Sequence, residues 1–351
     1  MSSARLNTTD AIFSRENRLP TYSVGSRKTT PTSISHTAAT RTIPSNIRLV
    51  DTSKYTRLAE GCKDKILRSG INQDLIAAGG KALQRNAEQD NVVLFHTHVA
   101  HLTLECLRSI IQSDTHDVKN TWEHPLSLPS IPKPQPDPAS ANKTSRSATR
   151  PAKRRRISSL TSVQVKPGTG KYVEVRPDMI VVLDPKDAKK IDLERGSLLA
   201  LCICLICLEM KRTGILSSRV DDIKAAAAAL SQPGATPNDD ILARGSRSNT
   251  TEATELNVGS SNLFKQAICY CLTHRIRNAI LSEFGVSFFL RFPEMPLNLS
   301  INKLWAHGVG DWMEVGILEE DDSGQMLSAY LGANIEALKD LQEIGRVDVG
   351  F

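Results

Sequence analysis

RPDMIVVLD, residues Arg176–Asp184, and SLLALCICLICLEMKR, residues Ser197–Arg212, decide the fold. Each apolar run is bounded by Gly, Pro, Asp or Lys, which is how buried strands look. The charged turn PKDAKKIDLERG joins them, so the two strands are expected to lie side by side. Side chains alternate along a strand, so Glu209 and Lys211 share one face while Met210 points the other way. If the strands pair, Asp178 approaches that same face. Two carboxylates converging beside a lysine suit a divalent cation and an oriented phosphate. Charged residues also end strands simply because the chain reaches solvent there.

The composition sets the frame around this pair. The chain has 351 residues, 40% of them hydrophobic, and a formal net charge of +6. That length is enough to bury a sizeable core in one or two domains. Seven cysteines, an odd number, lie mostly in apolar runs, and the opening residues do not read as a secretory signal. Reduced intracellular thiols are therefore expected rather than a disulfide framework. Cys202, Cys204 and Cys207 sit inside one apolar strand, where cysteine acts as a small hydrophobe. No run reaches the eighteen or so apolar residues that a membrane span needs, and a soluble protein with no membrane partner is expected.

Residues 1–55 are rich in Ser, Thr and Arg and are expected to form a disordered tail. Its Arg-containing, acid-poor start resembles a transit peptide, but Asp10 and Glu16 interrupt it. Residues 56–127 read as a helical segment. Within it Val92, Phe95, Val99, Leu102, Cys106 and Ile110 recur at helical spacing. His98, His101 and Glu105 flank that stripe, with His96 nearby. They could bind a metal, although zinc normally takes a fuller ligand set. Residues 128–170 form a proline-rich and then basic linker, expected to be disordered. Its cluster Lys153, Arg154, Arg155 and Arg156 suits an import receptor or a nucleic-acid backbone, and equally a solvated linker. PGTGKY that follows lacks phosphate-loop spacing.

The core is expected over 171–351. It opens with the strand pair and continues with an alanine-rich helix and a flexible insertion at about 228–260. Next comes SNLFKQAICYCLTHRIRNAILSEFG, read as one helix capped by Asn262 and ended by Gly285. Gln266 and Tyr270 are four apart on it and project from one face, and His274 continues the row. VSFFLRFP reads as a strand, LNLSINKLWAHGVGDWMEVGILEE as one or two more, and MLSAYLGANIEALKDLQEIG as a closing helix. Trp305 and Trp312 could stack on bases or pack in the core.

A helix, a strand with P-D, a strand ending E-x-K and a helix with Q-x-x-x-Y together resemble the PD-(D/E)XK nuclease superfamily, in its RecB-type variant. The resemblance spans about residues 170–295. It is also similar to PD-(D/E)XK-like domains of uncharacterised fungal proteins. It implies an α/β fold with a restriction-endonuclease-like mixed sheet flanked by helices. Asp178, Glu209, Lys211, Gln266 and Tyr270 would be the site residues, with Asp178 and Glu209 holding Mg²⁺ or Mn²⁺. The implied activity is hydrolysis of nucleic-acid phosphodiester bonds, DNA foremost, in the nucleus or cytoplasm, with the basic cluster favouring the nucleus. The family often carries an acidic residue on its first helix, a place for which Glu105 is the candidate. A catalytically inactive interaction module on the same scaffold, or an unrelated α/β protein, are the alternatives.

Overall fold

The computed structural model describes residues 41–68, 88–111, 116–120, 130–132, 172–174, 177–185, 203–230, 256–319 and 325–347, with Phe13 and Asp322 besides. Lys153, Arg154, Arg155 and Arg156 lie outside these residues, as does the greater part of the three stretches expected to be disordered. Cys202 also lies outside them.

Nine strands are described, in chain order β1 (Asn46–Val50), β2 (His116–Asn120), β3 (Ser130–Pro132), β4 (Tyr172–Glu174), β5 (Met179–Pro185), β6 (Ile203–Met210), β7 (Asn278–Ser282), β8 (Ser287–Arg291) and β9 (Trp312–Leu318). The helices are α1 (Ser53–Glu60), α2 (Lys63–Arg68), α3 (Glu88–Phe95), α4 (His101–Ile111), α5 (Val220–Leu230), α6 (Val258–His274), α7 (Ile301–His307) and α8 (Met326–Glu343). A π-helical turn, His96–Ala100, joins α3 to α4.

Seven strands make one mixed sheet in the order β1-β9-β8-β7-β6-β5-β2. β5 and β6 pair, as expected from the sequence, and run antiparallel with a bulge between Val181 and Val182. β6 and β7 are parallel, and such a pair needs a long crossover; α5 and α6 both lie in it. Ile180, Val181, Val182 and Leu183 are all buried, which explains a continuous apolar run rather than an alternating one. β3 pairs antiparallel with β4 and so brings the two ends of the proline-rich linker together.

Cross-strand register assigns the two faces. Leu208, Ile280, Phe289 and Gly316 stand opposite one another, and the Tyr55 ring of α1 lies 5.1 Å from that of Phe289. α8 packs on α1 at Gly332, where an added Cβ would stand 1.8 Å from the Tyr55 carbonyl oxygen. Phe95 of α3 meets Tyr330 of α8 edge-on at 5.1 Å. Helices α1, α3 and α8 therefore share one face. Glu209, Leu281 and Phe288 point to the other, where α6 lies. Arg291 on the first face bonds Asp340 of α8 at 2.7 Å and, with Lys54, Glu314 and Glu336, clasps β8, β9, α1 and α8 together.

Several expectations are corrected. The stretch read as one helix from Asn262 to Gly285 is helix only to His274. It starts five residues earlier, where Asn257 Oδ1 accepts from Ser260 N at 3.0 Å. Arg275 adopts a left-handed φ of 56° and ends it, and NAILS becomes β7. The tail expected to be disordered to residue 55 already contains β1, paired parallel with β9. Only Ile47 of that strand is fully buried, so its sequence carries little apolar signal. Both edge strands thus come from before residue 171. Part of the stretch read as strands, Ile301–His307, is α7. No helix among the described residues is long and apolar enough to cross a membrane.

Candidate functional site

The site forms where β6 ends. Asp178 lies one residue ahead of β5. Glu209 is the penultimate residue of β6, and Lys211 follows the strand. The Lys211 N–H donates to Ser282 O of β7 at 2.7 Å, so the strand's geometry persists through it. Glu209 and Lys211 therefore share a face, as alternation requires, and Lys211 Nζ donates to Glu209 Oε1 at 2.8 Å.

α6 brings the other two side chains. Gln266 Nε2 donates to Glu209 Oε1 at 2.8 Å and to Tyr270 OH at 2.7 Å. Gln266 Oε1 accepts from Lys211 Nζ at 3.0 Å. Tyr270 OH donates to Glu209 Oε2 at 2.8 Å. Asp178 Oδ2 accepts from Met210 N, the amide between Glu209 and Lys211, at 2.6 Å. All five residues chosen from the sequence thus come together at one strand end. Glu209 and Lys211 are 7% and 2% exposed, while Asp178 and Gln266 are partly open to solvent.

Burial, reinforced by the charges of Glu209 and Asp178, pushes the Tyr270 phenol well above its usual range. It therefore remains a protonated donor, matched to a carboxylate acceptor. Glu209 receives three donors, and an ionised carboxylate has about four lone-pair positions. One position remains for a further partner. Asp178 and Glu209 are hard oxygen donors, and Mg²⁺ takes one or two carboxylates while keeping several waters. The donor set fits that ion. It does not fit zinc, and among the described residues no group of three His, Cys, Asp or Glu could hold a metal.

His96, His98 and His101 form no metal-holding group among the described residues. The rings of His96 and His101 are 6.2 Å apart, and His98 is set edge-on to Phe284. Burial lowers the His98 pKa. Glu105, the candidate for a first-helix carboxylate, pairs with Arg108, whose Nε donates to Val118 O on edge strand β2. It lies fourteen residues beyond Asn91, which bonds Lys211 O, roughly 20 Å along a helix, and is no part of this site.

The residue of α3 that does meet the site is Asn91, fully buried, whose Nδ2 donates to Lys211 O at 2.6 Å. Its signal was present in the sequence: Asn91 is four residues before Phe95, so a polar side chain interrupts the apolar stripe. Glu283 is a second residue that the motifs did not mark. Its buried carboxylate accepts from the N–H groups of Leu216 and Ser217 at 2.8 and 3.2 Å, anchoring the loop that follows Lys211.

His274, which continues the Gln266–Tyr270 row, is a core residue. Its Nδ1 lies 3.9 Å from Cys204 Sγ, and Nε2 has no hydrogen-bond partner among the described residues. Burial lowers its pKa from 6.5 to about 4. The neutral ring's contribution to stability is complete above pH 6.5 and is lost as pH falls through about 4. Across that window the fold should lose up to about 3 kcal/mol from this group. Denaturant midpoints measured from pH 7 to 4 should show the loss in the native chain and a flatter profile in His274→Leu. Equal slopes in the two proteins would remove His274 as the cause.

Burial likewise pushes the Cys204 thiol up to about 12, in keeping with cysteine as a hydrophobe here. The Arg41 guanidinium lies over the Trp305 ring at 4.6 Å, so that ring is already covered. Comparison of the chain with protein-family models, curated proteins and solved structures finds no match.

Proposed function

We propose that this chain is a nuclease-like phosphodiesterase with a restriction-endonuclease-like core, acting on nucleic acid, DNA foremost. One observation carries the reading. Lys211, Gln266 and Tyr270 all donate to the Glu209 carboxylate, and Asp178 is docked on the amide between Glu209 and Lys211. The order of elements supports it: helix, β2, β5, β6, helix and β7, with β6 and β7 parallel and the rest of that set antiparallel.

Asp178 and Glu209 would hold Mg²⁺ or Mn²⁺, which when bound supplies Lewis-acid stabilisation of charge on phosphate and an acidified water. Lys211 presents a fixed cation toward the scissile phosphate and compensates its developing negative charge. Two of its three protons are engaged by Glu209 and Gln266, leaving the third for a phosphate or water oxygen. Gln266 and Tyr270 lock the Glu209 carboxylate in one orientation, as partners of metal-binding carboxylates do. The basic cluster Lys153–Arg156 would serve nuclear import or backbone contact.

A second reading has its own observation. Glu209 and Lys211 are nearly sealed from solvent, as suits a charge pair retained in an inactive interaction module. Calorimetric titration of Mg²⁺ into the full chain, with hydrolysis of plasmid DNA as the second readout, separates the two. Asp178→Asn and Glu209→Gln should each abolish the binding heat and lower hydrolysis by on the order of 10²–10³-fold, with the fold retained. Neither binding nor hydrolysis in the native chain would favour the module.

A further inference from the structure

Asn91 is 0% exposed, yet its side chain is a polar amide. Its Nδ2 donates to Lys211 O at 2.6 Å and reaches Thr213 Oγ1 at 3.5 Å. Its Oδ1 is buried with no hydrogen-bond partner among the described residues. An orphaned buried acceptor is unfavourable, so packing alone would favour leucine here. The donor end accounts for the amide. Lys211 is held by its N–H on Ser282 O and by its carbonyl on Asn91, one restraint from the sheet and one from a helix on the opposite face.

The π turn His96–Ala100 is the second observation. Such a turn carries one residue more than an α-helical turn and rotates what precedes it by about 100° relative to a continuous helix. Leu102, Thr103, Leu104, Cys106, Leu107, Ile110 and Ile111 are buried after the turn, and in a continuous helix the centre of that face would lie about 100° from that of Asn91, Val92, Leu94 and Phe95. Asn91 is buried as well, so the extra residue brings both halves of the helix to the core.

We infer that Asn91 is a positioning residue: its amide fixes the main chain of Lys211 and thereby the lysine's place beside Glu209 and Gln266, with the π turn aiming it. The consequence for catalysis rests on the nuclease reading; the clamp itself does not. The partner atom is a carbonyl oxygen, so the side chain must donate. Ionised aspartate is nearly isosteric but only accepts, and it would repel Lys211 O. Protonated aspartate regains one donor.

The test compares the full chain with Asn91→Ala and Asn91→Asp. Hydrogen exchange of the Arg212, Thr213 and Gly214 amides should accelerate about tenfold in both variants at pH 8, the scale of one lost hydrogen bond. In Asn91→Asp it should return toward the native rate as the pH is lowered, while Asn91→Ala shows no such return. With Mg²⁺ and plasmid DNA, kcat should fall by on the order of 10²-fold with KM little changed, and only Asn91→Asp should recover at lower pH. Asn91→Ser carries the same exchange measurement if the other substitutions unfold the chain. Unchanged exchange at these amides overturns the inference. Accelerated exchange in a protein whose native form cleaves nothing upholds the clamp and overturns the nuclease reading alone.

Discussion

Gly332→Ala is expected to destabilise the protein by at least about 3 kcal/mol, the upper end of what overpacking usually costs. The added Cβ would stand 1.8 Å from Tyr55 O and 2.5 Å from its carbonyl carbon. These are backbone atoms of α1, so no side-chain rotation relieves the clash. α1 and α8 must separate, and α1 also carries the Tyr55 ring against Phe289. Glycine in mid-helix costs about 1 kcal/mol relative to alanine, so local preference opposes it and the close approach accounts for it. The melting temperature should drop by at least roughly 6–12 °C. Gly61→Ala is the control, because its Cβ would meet nothing nearer than 3.5 Å. A Gly332→Ala protein melting with the native chain would mean that the two helices do not cross as described.

That glycine shows how unevenly the sequence discloses the structure. A lone Gly inside the pattern of α8 asks for a packing reason, but not which helix supplies it. The β5–β6 pair was legible because strand alternation is strict: Glu209 and Lys211 had to share a face once β6 was a strand. Gln266 and Tyr270 were legible for the parallel reason of helical spacing. β7 was not. NAILS is buried at all five positions, so it has no alternation, and it follows a helix with no Gly or Pro between them. Arg275 takes the left-handed cap that glycine usually marks. Glu105 was favoured on charge alone. The helix position that reaches β6 is set by a π turn, which spacing rules for α-helices do not contain.

The second large effect concerns Glu209 and Lys211, where stability and function should separate. Glu209→Leu leaves the Lys211 ammonium, 2% exposed, with Gln266 Oε1 as the remaining acceptor of its described bonds. An uncompensated buried charge of this kind should cost roughly 3–5 kcal/mol. Lys211→Met should cost less, because Gln266 and Tyr270 still donate to the Glu209 carboxylate. The double variant Glu209→Leu with Lys211→Met removes both charges, and its stability should recover to within about 1–2 kcal/mol of the native chain or exceed it. Mg²⁺ binding should be lost in the two variants that lack Glu209, and hydrolysis in all three. Denaturant unfolding of the four proteins closes a double-mutant cycle with a coupling of several kcal/mol. A double variant as unstable as the two singles summed would show that the charges do not compensate each other. Recovered stability with lost binding would mean that an apolar pair serves the fold as well as the charged one does. The charged pair would then be retained for what it holds, which is the reading that the surrounding Gln266, Tyr270 and Asp178 already favour.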